Sequence, residues 1–200
     1  MEASEQNAFS SETLSMEISD DVRKTAEQLY TSVLTDGYEI GRSRKALKAS
    51  ILYSSYRLQR EPVICEKIAS EYNVEKNKVI QGSKYIKRNA GLKFHPEDPE
   101  NFIDILMERL ELDEHEEQIE SLSEKILRIV SDNSDFPIGK SPKSIAAAAI
   151  YSAGRLLNDV KLTQEEVSNI SNVSKVTIRN TYQKQLEIYE NTTVNTANAD

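Results

Sequence analysis

The chain repeats itself. Ile40-Gly41-Arg42-Ser43 overlies Ile138-Gly139-Lys140-Ser141 at an offset of 98 residues, and the match continues through Lys45 on Lys143, Ala49 on Ala147, Tyr53 on Tyr151, Ser54 on Ser152, Arg57 on Arg155 and Leu58 on Leu156. After one inserted residue, Asn73-Val74 falls on Asn172-Val173. So many matches in one order imply a single structural unit present twice, and any fold proposed for the chain has to be a duplication.

The repeated unit reads as helical. Apolar residues recur at helical spacing, as in Val22, Ala26, Leu29 and Val33 of the first copy and Ile119, Leu122, Ile126 and Ile129 or Val130 of the second, whereas strand-like alternation is scarce. The second helix of each copy, about 43–60 and 141–157, is rich in small residues, and Ala146 to Ala149 let neighbouring backbones approach closely. That pattern predicts a central helix wrapped by others. Ser141 can cap a helix with Pro142 at its first position, where a missing N–H does no harm. Thr163-Gln164-Glu165-Glu166 has the form of a capping box, in which hydroxyl and carboxylate each satisfy an otherwise orphaned backbone donor.

Further helices are expected at about 64–72, 76–90, 99–111, 164–171 and 174–189. Pro96 and Pro99 interrupt the pattern before 99–111, which is taken as the last helix of the first copy. The expected architecture is all-α: two tandem five-helix units at 14–112 and 113–189, between disordered polar tails at 1–13 and 190–200.

Several function classes fall away. No apolar run approaches the roughly 18 residues of a membrane helix, and the acidic N-terminus has no signal-peptide pattern. The lone Cys65 supports neither a disulfide framework nor a cysteine-rich zinc site, so an intracellular protein without structural metal is expected. His95 and His115 lack metal-ligand spacing, and no acid–base pair stands out, so no catalysis and no cofactor are expected. Gly139-Lys140-Ser141 looks like the end of a phosphate-binding loop, but Ser134 stands where that motif needs glycine.

A net charge of -8 argues against nucleic acid until it is counted by segment. Residues 1–39 hold 2 basic and 9 acidic side chains, 40–93 hold 13 and 4, 96–124 hold 1 and 12, and 138–189 hold 7 and 4. Both basic blocks are equivalent parts of the repeat.

Thr163 to Leu186 has the pattern of a helix-turn-helix: a capped short helix, a turn at Asn172-Val173-Ser174, and a second helix. Such a second helix can enter a major groove with its N-terminal residues toward base edges and the positive end of its dipole toward phosphates. Those residues are Ser174, Lys175, Val176, Thr177, Arg179 and Asn180. Arg179 can donate two hydrogen bonds to a guanine and Val176 can touch a thymine methyl, while Ser174, Lys175 or Asn180 can hold phosphate or base.

Ser141-Pro142-Lys143-Ser144-Ile145-Ala146-Ala147-Ala148-Ala149-Ile150-Tyr151, followed by Val173-Ser174-Lys175-Val176-Thr177-Ile178-Arg179-Asn180-Thr181-Tyr182, resembles the second repeat of the transcription factor B family. Gly41-Arg42-Ser43 with Tyr53, Arg57-Leu58 and Ile68-Ala69 resembles the first. The likeness spans about 14–189 and is closer to the archaeal proteins than to the eukaryotic one. It implies two cyclin-like repeats that clamp a TATA-binding protein on bent promoter double-stranded DNA, with the element upstream of TATA read at Val176 and Arg179. It also implies a DNA contact at Gly41-Arg42, to which Lys140 is the repeat equivalent, and a basic first-repeat surface meeting the TATA-binding protein, represented by Arg44, Lys45, Lys48, Lys76 and Lys78.

The free protein is expected to be a monomer in the cytoplasm if archaeal, associated with the nucleoid, or in the nucleus if eukaryotic. The family's usual cysteine-ligated zinc ribbon, which engages RNA polymerase, has no counterpart in these 200 residues. The expectation is either a core fragment or a shortened paralogue with weakened polymerase recruitment, which could compete with a full-length factor. Ser83, where the second copy has Tyr182, suggests base reading from the second repeat and mostly non-specific contact from the first. A cyclin-type interaction scaffold is the alternative, favoured by the acidic balance.

Overall fold

The computed structural model describes residues 9, 14–35, 43–110, 112, 115–134, 136 and 139–197, with side chains to 194. Among these residues all regular structure is helical. Contacts divide the chain into two compact units, Met1–Glu97 and Asp98–Asp200.

The first unit holds α1 (Asp20–Thr35), α2 (Arg44–Gln59), α3 (Cys65–Glu71) and α4 (Lys76–Asn89). The second holds a 3-10 turn (Glu100–Phe102), α5 (Ile103–Met107), α6 (Glu116–Ser131), α7 (Pro142–Leu156), α8 (Gln164–Ser171) and α9 (Lys175–Ala197). The order α1 to α4 recurs as α6 to α9, as the duplication requires.

Each copy is built around its second helix. α2 packs against α1, α3 and α4, and α7 packs against α5, α6, α8 and α9. Small side chains make this possible: Ala146 to Gly154 are all buried, as are Ala46, Ala49, Ser50, Ser54 and Ser55. A hydroxyl inside a buried helix needs a partner, and Ser50 and Ser54 donate to the carbonyls one turn earlier, at 2.6 and 2.7 Å. At Gly154 the approach is close enough that an added Cβ would meet Leu162 Cβ at 2.9 Å.

Three features depart from the sequence expectation. The segment expected at 99–111 as the last helix of the first copy is a 3-10 turn followed by the short α5, and both pack on α7 in the second unit. Phe102, Ile103, Leu106 and Met107 are the cause, because all four are buried there. The second compact unit therefore begins well before the expected boundary at 112/113. The tail expected from 190 is instead the end of α9, which runs to Ala197. Thr192 and Thr193 hydroxyls donate to the carbonyls of Ile188 and Tyr189, at 2.8 and 2.9 Å, so polar residues continue the helix. In the N-terminal stretch expected to be a tail, Phe9 is fully buried and meets the Tyr30 ring edge-on at 5.9 Å. The other residues of 1–13 lie outside the described residues.

Candidate nucleic-acid interface

The helix-turn-helix of the second unit is assembled by short-range chemistry. At the start of α8 the Glu166 N–H donates to Thr163 Oγ1 at 3.2 Å, and the Thr163 N–H donates back to Glu166 Oε2 at 2.7 Å. This is the capping box read from the sequence. The Thr163 hydroxyl also donates to Glu166 Oε2 at 2.6 Å, and these Thr163 hydrogen bonds hold the Glu166 carboxyl below its ordinary range.

α8 ends at Asn172, which adopts the left-handed conformation with φ 53°. Asparagine tolerates that region better than most side chains. The reversal buries Val173 and lets the Ser168 hydroxyl donate to the Val173 carbonyl at 2.7 Å. Ser174 then starts α9, with its Oγ accepting from the Thr177 N–H at 3.1 Å and lying 2.8 Å from Thr177 Oγ1.

The two faces of α9 have different chemistry. Ile178, Thr181, Gln185 and Ile188 point inward and are buried. Gln185 ties the helix to α7, donating to the Ile145 carbonyl at 3.0 Å and accepting from the Ser152 hydroxyl at 3.2 Å. On the outer face Lys175, Val176, Arg179, Asn180 and Gln183 are exposed. Val176 is 57% exposed, one of few large apolar side chains left in water among the described residues. Residues 176, 179, 180 and 183 follow the i, i+3, i+4, i+7 pattern of one helical face. This strip offers a methyl-contacting group, a bidentate donor and two amides, a set suited to base edges in a major groove.

The structure brings together the expected residues of α9 in different ways. Ser174 and Thr177 spend their side chains on the cap, whereas Val176, Arg179 and Asn180 face solvent. Lys175 Nζ lies 3.4 Å from Glu165 Oε2. Lys140 is half-buried, and its ammonium donates to Thr181 Oγ1 at 3.0 Å, so it braces α9 from the loop before α7. Gln183 and Glu165 were not singled out from the sequence. Gln183 could have been found by extending the helical period one turn past Arg179.

The first copy repeats the turn with other side chains. Asn73 takes φ 51° between α3 and α4, and Lys76 Nζ lies 2.6 Å from Glu66 Oε1, the repeat equivalent of Lys175 and Glu165. Where the second copy exposes Val176 and Arg179, the first has Asn77 and Ile80. Of the basic residues expected to meet a partner, Arg44 and Lys45 are exposed at the start of α2. Lys48 lies 5.8 Å from the Tyr30 ring centre, and Lys78 lies 3.6 Å from Glu75. Gly41 and Arg42 lie outside the described residues.

Among the described residues no helix is long and apolar enough to cross a membrane, and no group of three or more His, Cys, Asp or Glu side chains could hold a metal ion.

Residues 93–188 match the family model for the transcription factor TFIIB repeat. The chain is 36% identical over 174 residues to transcription initiation factor IIB 2 of Haloferax volcanii, covering 86% of this chain and 51% of that protein. It is 35% identical over 166 residues to transcription initiation factor IIB 7 of Halobacterium salinarum, covering 83% of this chain and 50% of that protein. A third relative, transcription initiation factor IIB 2 of Thermococcus kodakarensis, is 30% identical over 168 residues, covering 83% of this chain and 53% of its own. The chain thus spans about half the length of the curated relatives it matches.

Proposed function

The chain belongs to the transcription factor B family, and we propose that it acts in transcription initiation by joining a TATA-binding protein on promoter DNA and reading the element upstream of TATA with α9. The observation that carries this reading is the outer face of α9. It keeps Val176 in water at the entry of a capped helix, with Arg179 one turn on. An apolar side chain gains little in water, and against a thymine methyl the same group contributes to recognition.

The roles divide by residue. Arg179 donates to guanine, Val176 packs on a methyl, and Asn180 and Gln183 extend the reading surface. Lys140 and Gln185 hold α9 against the rest of the unit. The first copy, with Asn77 and Ile80 at the equivalent positions, contributes contacts that do not depend on base sequence. Arg44, Lys45 and Lys48 on α2 are the side chains we assign to the protein partner. RNA polymerase recruitment belongs to the same proposal, since it is the task toward which an initiation factor assembles the promoter complex.

Mobility-shift titration on promoter duplex tests the reading. With TATA-binding protein present, a slower ternary complex should form at protein concentrations that give weak binding to DNA alone. No ternary complex at low salt would refute it. Recovery of a kinase without any TATA-binding protein in a pull-down would favour the interaction-scaffold alternative.

A further inference from the structure

Lys175 is the first residue of α9, where the positive end of the helix dipole and an ammonium together attract a phosphate. Its Nζ does not stand alone. It lies 3.4 Å from Glu165 Oε2, across the turn and at the start of α8. The first copy places Lys76 and Glu66 in the same relation, at 2.6 Å.

The two pairs differ in exposure. In the first copy the lysine and glutamate side chains are 43% and 25% exposed, a tight pair suited to stapling the turn. In the second they are 57% and 71% exposed, and the contact is longer. An ion pair so open to water adds little to stability. Its effect falls instead on whatever else approaches Lys175, because a carboxylate there opposes a phosphate and offsets the lysine charge.

We propose that Glu165 is a specificity-determining residue that restrains Lys175 from sequence-independent phosphate binding, leaving discrimination to Val176 and Arg179. This rests on the DNA-binding reading above. Loss of the carboxylate frees one cation for the backbone, and each phosphate neutralised steepens the dependence of log K on log salt by about 0.9. A backbone contact strengthens every sequence alike, so the ratio of promoter to non-specific affinity falls as binding rises.

The test is a set of salt titrations on a non-promoter duplex and on promoter duplex with TATA-binding protein, using the unaltered chain, Glu165→Gln, Lys175→Ala and the double variant. Glu165→Gln should bind the non-promoter duplex about two- to five-fold more tightly at low salt, with a slope steeper by about 1. In the Lys175→Ala background the same change should do nothing, a result a merely structural glutamate would not give. Unchanged affinity and slope in Glu165→Gln, while the unaltered chain binds, would overturn the inference alone. An equal gain with and without Lys175 would also overturn it, since bulk charge would then explain the effect. Failure of the unaltered chain to bind either duplex would overturn the functional reading and this inference with it.

Discussion

Single side chains decide where the helices of this protein begin and how they touch. Thr163 is the clearest, since its backbone N–H and its hydroxyl both donate to the Glu166 carboxylate, and its hydroxyl oxygen accepts from the Glu166 N–H. Thr163→Ala should lower the unfolding free energy by about 1 kcal/mol, measurable in chemical denaturation. It should also alter the pH dependence. Glu166 is held below its ordinary range in the folded protein, so its contribution is complete above the unfolded-state pKa and is lost as pH falls through the folded one. The acid limb of the stability curve should therefore be shallower in Thr163→Ala than in the unaltered protein. Glu120 works the opposite way. Burial first, then Asp104 and Glu124, raise its pKa, so its penalty is present above the folded value and eases on acidification.

At the scale of elements, α2 and α7 organise their units, and the helix that follows each turn locks onto them. Ser54 Oγ lies 2.9 Å from Ser83 Oγ in the first unit, and the repeat-equivalent Ser152 donates to Gln185 Oε1 at 3.2 Å in the second. Gln185→Ala should cost about 1–3 kcal/mol by removing the tie to the Ile145 carbonyl and the acceptor of the buried Ser152 hydroxyl, as read from thermal or chemical unfolding.

Much of this level was legible beforehand. Small-residue runs marked the central helices, and Thr163, Ser141 and the Asn172 turn marked helix starts and the reversal, because those signals are local. What escaped depends on distant partners. Phe9 is one aromatic in a polar stretch, and its burial is decided by Tyr30. α5 follows two prolines that suggested a link, while its place is decided by contacts with α6 and α7. The end of α9 is threonine-rich, yet its hydroxyls bond back into the helix. At the candidate interface Val176 and Arg179 followed from helical period and turn position. Glu165 did not, because its reach to Lys175 exists only once the turn has folded.

Across the whole molecule charge is spread unevenly along the duplication. Residues 40–93 hold 13 basic side chains to 4 acidic ones, while 96–124 hold 1 to 12. A chain with net charge -8 therefore holds a strongly basic segment over α2 to α4, and binding to DNA through it should weaken as salt rises. Base discrimination is a separate property, which we assign to the outer face of α9, where Val176 and Arg179 stand at the positions of Asn77 and Ile80 in the first copy. The measurement that tests this most directly is binding-site selection from randomised sequence upstream of TATA, in the complex with TATA-binding protein, comparing the unaltered chain with Arg179→Ala. The account predicts a defined preference for the unaltered chain, and for the variant a relaxed preference with a loss of about 1–3 kcal/mol on the selected site. The same selected sequences at the same strength from both proteins would contradict it.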